Sequence, residues 1–234
     1  MKKRIQVKTE KPQFTVITNL TYAQRDSWFG HTMQDLKMDL IYPEDSSRTY
    51  PCIVWICGGA WLQLDKSAHL AYLSELSRKG FVVASVQYRT SNETPLPGQI
   101  QDVKAGIRYL RAHAERFHIN PEKFGVMGES AGGYLTCMAA LATDPAFDVG
   151  ENLEFSSSVQ AACPWYPPTD FRGFPYDSAE QCAAAPESLL LGKNVMRHAG
   201  EALKCCPVSF VTPEAPPFLI IHGKDDHTGP FTQS

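Results

Sequence analysis

Five short apolar runs constrain this chain more than any other feature: CIVWIC (52–57), FVVASV (81–86), KFGVMG (123–128), VQAACPW (159–165) and FLIIHG (218–223). Each is of strand length and lacks the polar alternation of a half-solvated strand, which is the pattern of strands buried on both faces. Helical segments stand between them. In GQIQDVKAGIRYLRAHAERF (98–117), Ile100, Val103, Ile107 and Leu110 recur at helical spacing with the charges elsewhere. SAHLAYLSELSRKG (67–80) is another, closed by Gly80 in a C-cap position. Strand and helix alternating at this rhythm predict an α/β fold: a mostly parallel central sheet with helices on both faces.

The first forty residues are patterned differently. FTVITNLTY (14–22) and DLKMDLIYP (35–43) alternate, with Leu36, Met38 and Leu40 pointing one way and Lys37 and Asp39 the other. They predict an antiparallel N-terminal ribbon, half-buried. A length of 234 residues suits one domain, taken here as 1–234, with a sizeable core. Residues 166–217, rich in Pro, Gly and Ala, are irregular, and read equally as a plain surface connection or as a partial lid over the carboxyl ends of the strands.

Charge excludes one class of partner. The net charge of −3 lacks the clustered Lys and Arg that a polyanion requires, so no nucleic-acid partner is expected; the basic start MKKR reads as a solvated terminus. No apolar run approaches the roughly 20 residues of a membrane span, so no membrane partner is expected either. The opening MKKRIQVKTEKPQF has no apolar core of a signal peptide, which points to a cytoplasmic chain. Seven cysteines, without a CxxC pair, read as reduced and largely buried thiols, with neither a disulfide framework nor a zinc pattern.

Chemistry concentrates at strand ends. Gly128-Glu129-Ser130-Ala131-Gly132 follows one apolar run and opens a helix. Flanking glycines let the chain turn sharply and leave Ser130 exposed at a helix N-terminus, as a nucleophile elbow requires. The bland alternative is a serine N-cap before small packing residues. CGGAW (57–61) ends the first run; Gly59 and Ala60, with Ala131, offer backbone N–H groups for an oxyanion hole, or simply form a glycine turn. Asp225, Asp226 and His227 follow the last run, where a carboxylate can orient a histidine, although acidic residues there also serve as turn formers. Trp61, Trp165, Tyr166 and Phe171 are candidates to line an acyl or aromatic pocket, or ordinary packing residues.

Taken together, GESAGG, CGGAW, VASVQYR (83–89), IQDVKAGIRYLRAHAERFHINPEKFGVMGESAGG (100–133) and PPFLIIHGKDDHTGPFTQS (216–234) resemble an α/β-hydrolase. Within that fold the chain is similar to the bacterial esterase/lipase group with an HGG(G/A) oxyanion motif and a GESAGG elbow, from about residue 34 onward. The resemblance implies a carboxylic ester hydrolase working through an acyl-enzyme on short-chain esters such as acetyl or feruloyl esters of plant polysaccharides, without cofactor or metal. Ser130 would be the nucleophile, Asp226 rather than Asp225 the acid, and Gly59, Ala60 and Ala131 the oxyanion hole. Two departures stand out. Cys57 occupies the place of the motif's histidine, which puts loop geometry in question but not the backbone donors. The histidine that follows the acid in this fold, after one more helix and strand, has no counterpart before Ser234, and His227 is badly placed to bridge Asp226 and Ser130. A chain that is weakly active or inactive, and prone to form a homodimer through an exposed sheet edge, is therefore expected. A serine peptidase of the prolyl-oligopeptidase type and a non-catalytic binding module stay open as alternatives.

Overall fold

The computed structural model describes residues 4–6, 13–27 and 30–234; the MKKR start lies, Arg4 apart, outside them. Strands β1 (Phe14–Ser27) and β2 (Thr32–Pro43) form the antiparallel ribbon, pairing from Phe14 opposite Pro43 to Ser27 opposite Thr32 with register shifts between Ile17 and Leu20 and between Thr21 and Ala23. The sheet then continues through β4 (Val82–Val86), β3 (Tyr50–Ile56), β5 (Ile119–Glu129) and β6 (Ala161–Trp165), in the spatial order β1-β2-β4-β3-β5-β6. β2 meets β4 antiparallel, and the remaining pairs are parallel. This is the mostly parallel sheet expected, with the ribbon attached at one side.

The run at 218–223 forms a shorter element than predicted. Phe218 and Ile221 bridge Ala162 and Trp165 in parallel, and the Leu219 and Ile221 N–H groups donate to Ala162 and Pro164 carbonyls at 2.9 and 3.1 Å. Pairing stops at Ile221, because the next residues turn: the Asp226 N–H donates back to the Gly223 carbonyl at 3.3 Å.

Helices cover both faces. α2 (Gly98–Ala112) and α3 (Ala131–Leu141) sit on one face, where Ile100, Val103, Ile107, Leu110, Leu135 and Met138 join Leu36, Met38, Leu40, Val54, Ile56 and Val86 in the main core. α1 (Leu70–Arg78) covers the other, where Leu73 meets Ile41, Trp55 and Val83. Val54 and Trp55 thus face opposite ways, as period-2 geometry requires. Gly80 follows α1 with φ +91°, the left-handed value that makes glycine the economical choice there.

Two readings of polar faces are corrected. Asp39 was expected opposite the apolar stripe of β2, yet it is fully buried, accepting from Lys66 Nζ at 2.8 Å, Ser67 Oγ at 2.6 Å and the Asn19 N–H at 2.8 Å. Burial opposes its charge, but these donors outweigh burial and hold the carboxyl below its usual range. α2 likewise buries Asp102, Lys104 and Arg108 instead of solvating them. Arg89 grips Asp102 through both oxygens at 2.8 and 2.9 Å, Arg25 adds a contact at 3.3 Å, and Lys104 and Arg108 converge on Asp148. Period analysis detects the apolar stripe alone; the partners that bury the polar face come from distant segments.

Residues 166–217 fold into three short helices, α4 (Ala179–Ala184), α5 (Pro186–Leu191) and α6 (Ala199–Leu203), joined by turns. Ser178 caps α4 by accepting from the Gln181 N–H at 3.0 Å; α5 starts on Pro186 and stops at Gly192 with φ +69°. The Tyr134 hydroxyl donates to the Cys205 carbonyl at 2.8 Å, and Gln233 accepts from the Thr169 and Asp170 N–H groups at 2.8 Å each, so this segment is tied to α3 and to the last residues. All seven cysteines are free. No helix among the described residues is long and apolar enough to cross a membrane.

Candidate active site

Ser130 stands between β5 and α3 with φ 51° and ψ −120°, outside the regions that a residue with a Cβ prefers. Such a conformation costs about 1–3 kcal/mol, and surrounding structure must hold it. Its N–H donates to the Trp165 carbonyl at 3.0 Å, while its own carbonyl accepts from Tyr134 at 2.9 Å and starts the helix. The flanking glycines permit the turn by close approach: a Cβ on Gly128 would lie 2.5 Å from the Ile56 carbonyl oxygen, and one on Gly132 2.0 Å from the same atom. The Ser130 hydroxyl makes no cap bond to its own helix. It opens instead onto a cavity of about 320 Å³.

The loop after β3 reaches the same place. A Cβ on Gly58 would stand 2.9 Å from the Glu129 carbonyl oxygen and 3.2 Å from Ser130 Cβ, so the glycine lets this loop lie against the nucleophile. Gly59 (φ 130°), Ala60 (φ 56°) and Trp61 (φ 57°) form a run of positive φ, and the Gly59 carbonyl accepts from Leu62 and Gln63 at 3.0 and 3.1 Å. The N–H groups of Gly59, Ala60 and Ala131 donate to no other group among the described residues. Ala60 and Ala131 line the cavity, and Gly59 does not. With Cys57 where the motif has histidine, the loop is held by the Tyr88 hydroxyl, which donates to the Cys57 carbonyl at 3.0 Å.

Asp226 lines the same cavity, with Thr228 and Gly229. Its Oδ1 accepts from the Gly229 and Thr228 N–H groups at 2.9 and 2.8 Å, and these bonds hold its carboxyl below the usual range, helped by His222 and His227. The structure therefore brings Ser130, Ala60, Ala131 and Asp226 to one cavity. Among the described residues that line it, none is a histidine. His222 lies 3.6 Å from Asp226 through Nε2, but that nitrogen faces the Gly229 carbonyl at 3.0 Å, while Nδ1 faces Ser234 Oγ at 2.6 Å. Its ring anchors the loop. His227 is exposed.

The aromatic candidates divide. Trp61 and Tyr166 line the cavity. Phe171 lies wholly buried behind Trp61, with ring centroids 5.8 Å apart. Trp165 packs on the other face of the sheet, edge-on to Trp55 at 5.4 Å and to Tyr72 at 6.1 Å, because neighbouring strand residues point to opposite sides. Pro168, Phe174, Pro186 and Glu187, which sequence reasoning did not single out, complete the wall. All four belong to the irregular segment 166–217, and nothing in their local pattern marks them.

The residue between Gly128 and Ser130 was also passed over. Glu129 accepts from the Tyr166 hydroxyl at 2.6 Å through Oε2 and pairs with His69 Nε2 at 2.8 Å through Oε1. Tyr166, held at φ 37°, is thereby fixed to the elbow at its hydroxyl and to Ile221 through its backbone N–H.

A sequence profile of BD-FAE matches residues 38–234, most of the chain. The chain belongs to the BD-FAE family. Among curated relatives of this BD-FAE member, the probable carboxylic ester hydrolase LipM of Mycobacterium tuberculosis is 34% identical over 199 residues, covering 81% of this chain and 44% of LipM. Esterase LipC of the same organism is 31% identical over 190 residues, covering 80% and 47%. The chain thus spans about half the length of the curated relatives it matches. Among solved structures, a truncated form of a carbohydrate esterase from gut microbiota superposes with a TM-score of 0.81 at 31% identity, covering 97% of this chain and 82% of that one. Esterase 2 of Thermogutta terrifontis, at 23% identity and a TM-score of 0.70, covering 95% and 74%, shares the α/β-hydrolase fold.

Proposed function

We propose that this chain carries the acyl-transfer site of a serine carboxylic ester hydrolase, acting on short-chain acyl esters such as the acetyl or feruloyl esters of plant polysaccharides. The observation that carries this reading is Ser130 itself: a non-glycine residue held at φ 51° between strand and helix, with its hydroxyl on a cavity that it shares with Asp226. In this reading Ser130 Oγ attacks the ester carbonyl. Charge developing on the carbonyl oxygen rests on the N–H groups of Gly59, Ala60 and Ala131, supported by the dipole of α3. The alcohol departs, and water releases the acyl group from Ser130. A cavity of about 320 Å³ lies at the small end of ligand sites, which favours a short acyl group. The likeness to a carbohydrate esterase supports a sugar as the alcohol.

The serine's proton needs a base, and Asp226 suits the orientation of an imidazole. With none on the cavity wall among the described residues, the 234-residue chain should retain what binding and the oxyanion hole supply, roughly 10³–10⁴-fold over water. The test is hydrolysis of p-nitrophenyl acetate with and without free imidazole, alongside labelling by a fluorophosphonate. Slow acylation, raised by imidazole beyond its own background and abolished in Ser130→Ala, is expected. A rate indifferent to Ser130→Ala would refute the nucleophile, and fast turnover without added base would refute the missing-base reading.

A further inference from the structure

Next to the elbow, but off the cavity wall, three metal-ligating atoms come together from three elements. Cys57 Sγ follows β3, His69 Nε2 precedes α1 and Glu129 Oε1 ends β5, and all lie within 4.8 Å of one another. We propose that Cys57, His69 and Glu129 form a binding site for a divalent transition-metal ion of the Zn²⁺ type.

The donor set is the first argument. Thiolate, imidazole and carboxylate are the three protein ligands of zinc, at about 2.3, 2.0–2.1 and 2.0–2.2 Å. A tetrahedral ion at those distances sets its donors roughly 3.3–3.6 Å apart. Here Nε2 and Oε1 are 2.8 Å apart, and Sγ and Oε1 are 4.0 Å apart. Those two separations bracket the requirement and the third pair, Sγ to Nε2, lies within 4.8 Å, so side-chain shifts of up to roughly 1 Å close the triangle around an ion. Sulfur among the donors favours Zn²⁺ over Mg²⁺ or Ca²⁺, which prefer oxygen.

The surroundings are the second argument. The Tyr166 hydroxyl holds the other oxygen of Glu129 at 2.6 Å, which leaves Oε1 to the pair with His69. The Trp55 ring stands edge-on to His69 at 5.5 Å. Outer contacts of this sort orient ligands before an ion arrives. Cys57 is buried, whereas the His69 side chain is 38% exposed and gives an ion its way in. Zinc takes cysteine as the thiolate, so binding here releases the thiol proton.

Three protein ligands leave a fourth position for water. An ion there joins the glycine loop to the residue before Ser130, clamping together the two segments that flank the nucleophile. The site rests on donor geometry and is independent of the esterase reading.

The experiment titrates chelator-treated protein with Co²⁺, then displaces it with Zn²⁺, with folding followed by circular dichroism. Thiolate-to-Co²⁺ charge-transfer absorption with intense tetrahedral ligand-field bands is expected from the parent chain. Cys57→Ser should lose the charge-transfer band, and His69→Gln, at a half-exposed position, should weaken Zn²⁺ binding at least about 10-fold, the lower end of what losing even an outer-shell partner costs. Cys163→Ser should change neither. Absence of a thiolate band in the parent overturns the proposal, as does a band that survives in folded Cys57→Ser. Should Cys57→Ser not fold, unchanged affinity in His69→Gln overturns it equally.

Discussion

Glu187 shows how a single residue can carry a signal that its sequence context hides. It starts α5 beside Pro186, a position where an acidic residue is unremarkable, yet it is 7% exposed, and its side-chain partner among the described residues is the Tyr176 hydroxyl at 3.5 Å. Burial raises its carboxyl above the usual range. The folded state therefore holds this proton more tightly than the unfolded chain. Stability is unaffected below the unfolded value of about 4.3 and falls as pH rises from there through the folded value. Glu187→Gln should remove that loss: thermal melts between pH 4 and pH 8 should show the variant gaining on the parent as pH rises. Parallel curves would acquit Glu187. Asp226 behaves oppositely, since its lowered value gives stability present at neutral pH and lost on acidification. At this scale Ser130 was readable because glycines at 128 and 132 announce a tight turn, whereas Glu187 and Glu129 gain meaning from neighbours far along the chain.

Among the elements, α2 departs furthest from its sequence pattern. Its apolar stripe was legible at Ile100, Val103, Ile107 and Leu110, and all four are buried in the main core. Its charges were not, because Arg25, Arg89 and Asp148 belong to β1, to the loop after β4 and to the loop after α3. Asp102 is 0% exposed between two guanidinium groups, so Asp102→Ala would leave both without their buried partner. Breaking a buried pair from one side costs about 3–5 kcal/mol. Chemical denaturation should show a loss of that size; one below about 1 kcal/mol would mean that solvent compensates both arginines.

For the whole molecule, the feature that bears on assembly is the outer edge of the sheet. The segment Phe218–Ile221 pairs with β6 on one side, while Leu219, Ile220 and Ile221 are 62%, 45% and 44% exposed. An apolar groove of about 540 Å³ adjoins it, walled by Phe81, Met127, Ala161, Cys163, Phe218 and Leu219. Among the described residues no strand pairs with the outer side of this segment, and open backbone beside apolar side chains is a template for another strand. We propose that two copies of this chain associate through this edge. Sedimentation at rising concentration should show a dimer, shifted toward monomer by Leu219→Lys together with Ile221→Lys; a monomer at every concentration would rule the edge contact out.

The layout was legible in the chain's own pattern: apolar runs of strand length, helical stripes between them, a turn at Gly80 and a sharp strand-to-helix turn at Ser130, all following from local periodicity and from backbone freedom at glycine. Position after a strand marked Asp225 and Asp226 alike, and the resemblance to α/β-hydrolases singled out Asp226. Tertiary structure decided which polar groups are buried, which aromatic side chains face the cavity, and that Cys57, His69 and Glu129 meet. Those outcomes depend on contacts between segments tens of residues apart, where burial and pairing, not local pattern, set the energy of a charge or a ring.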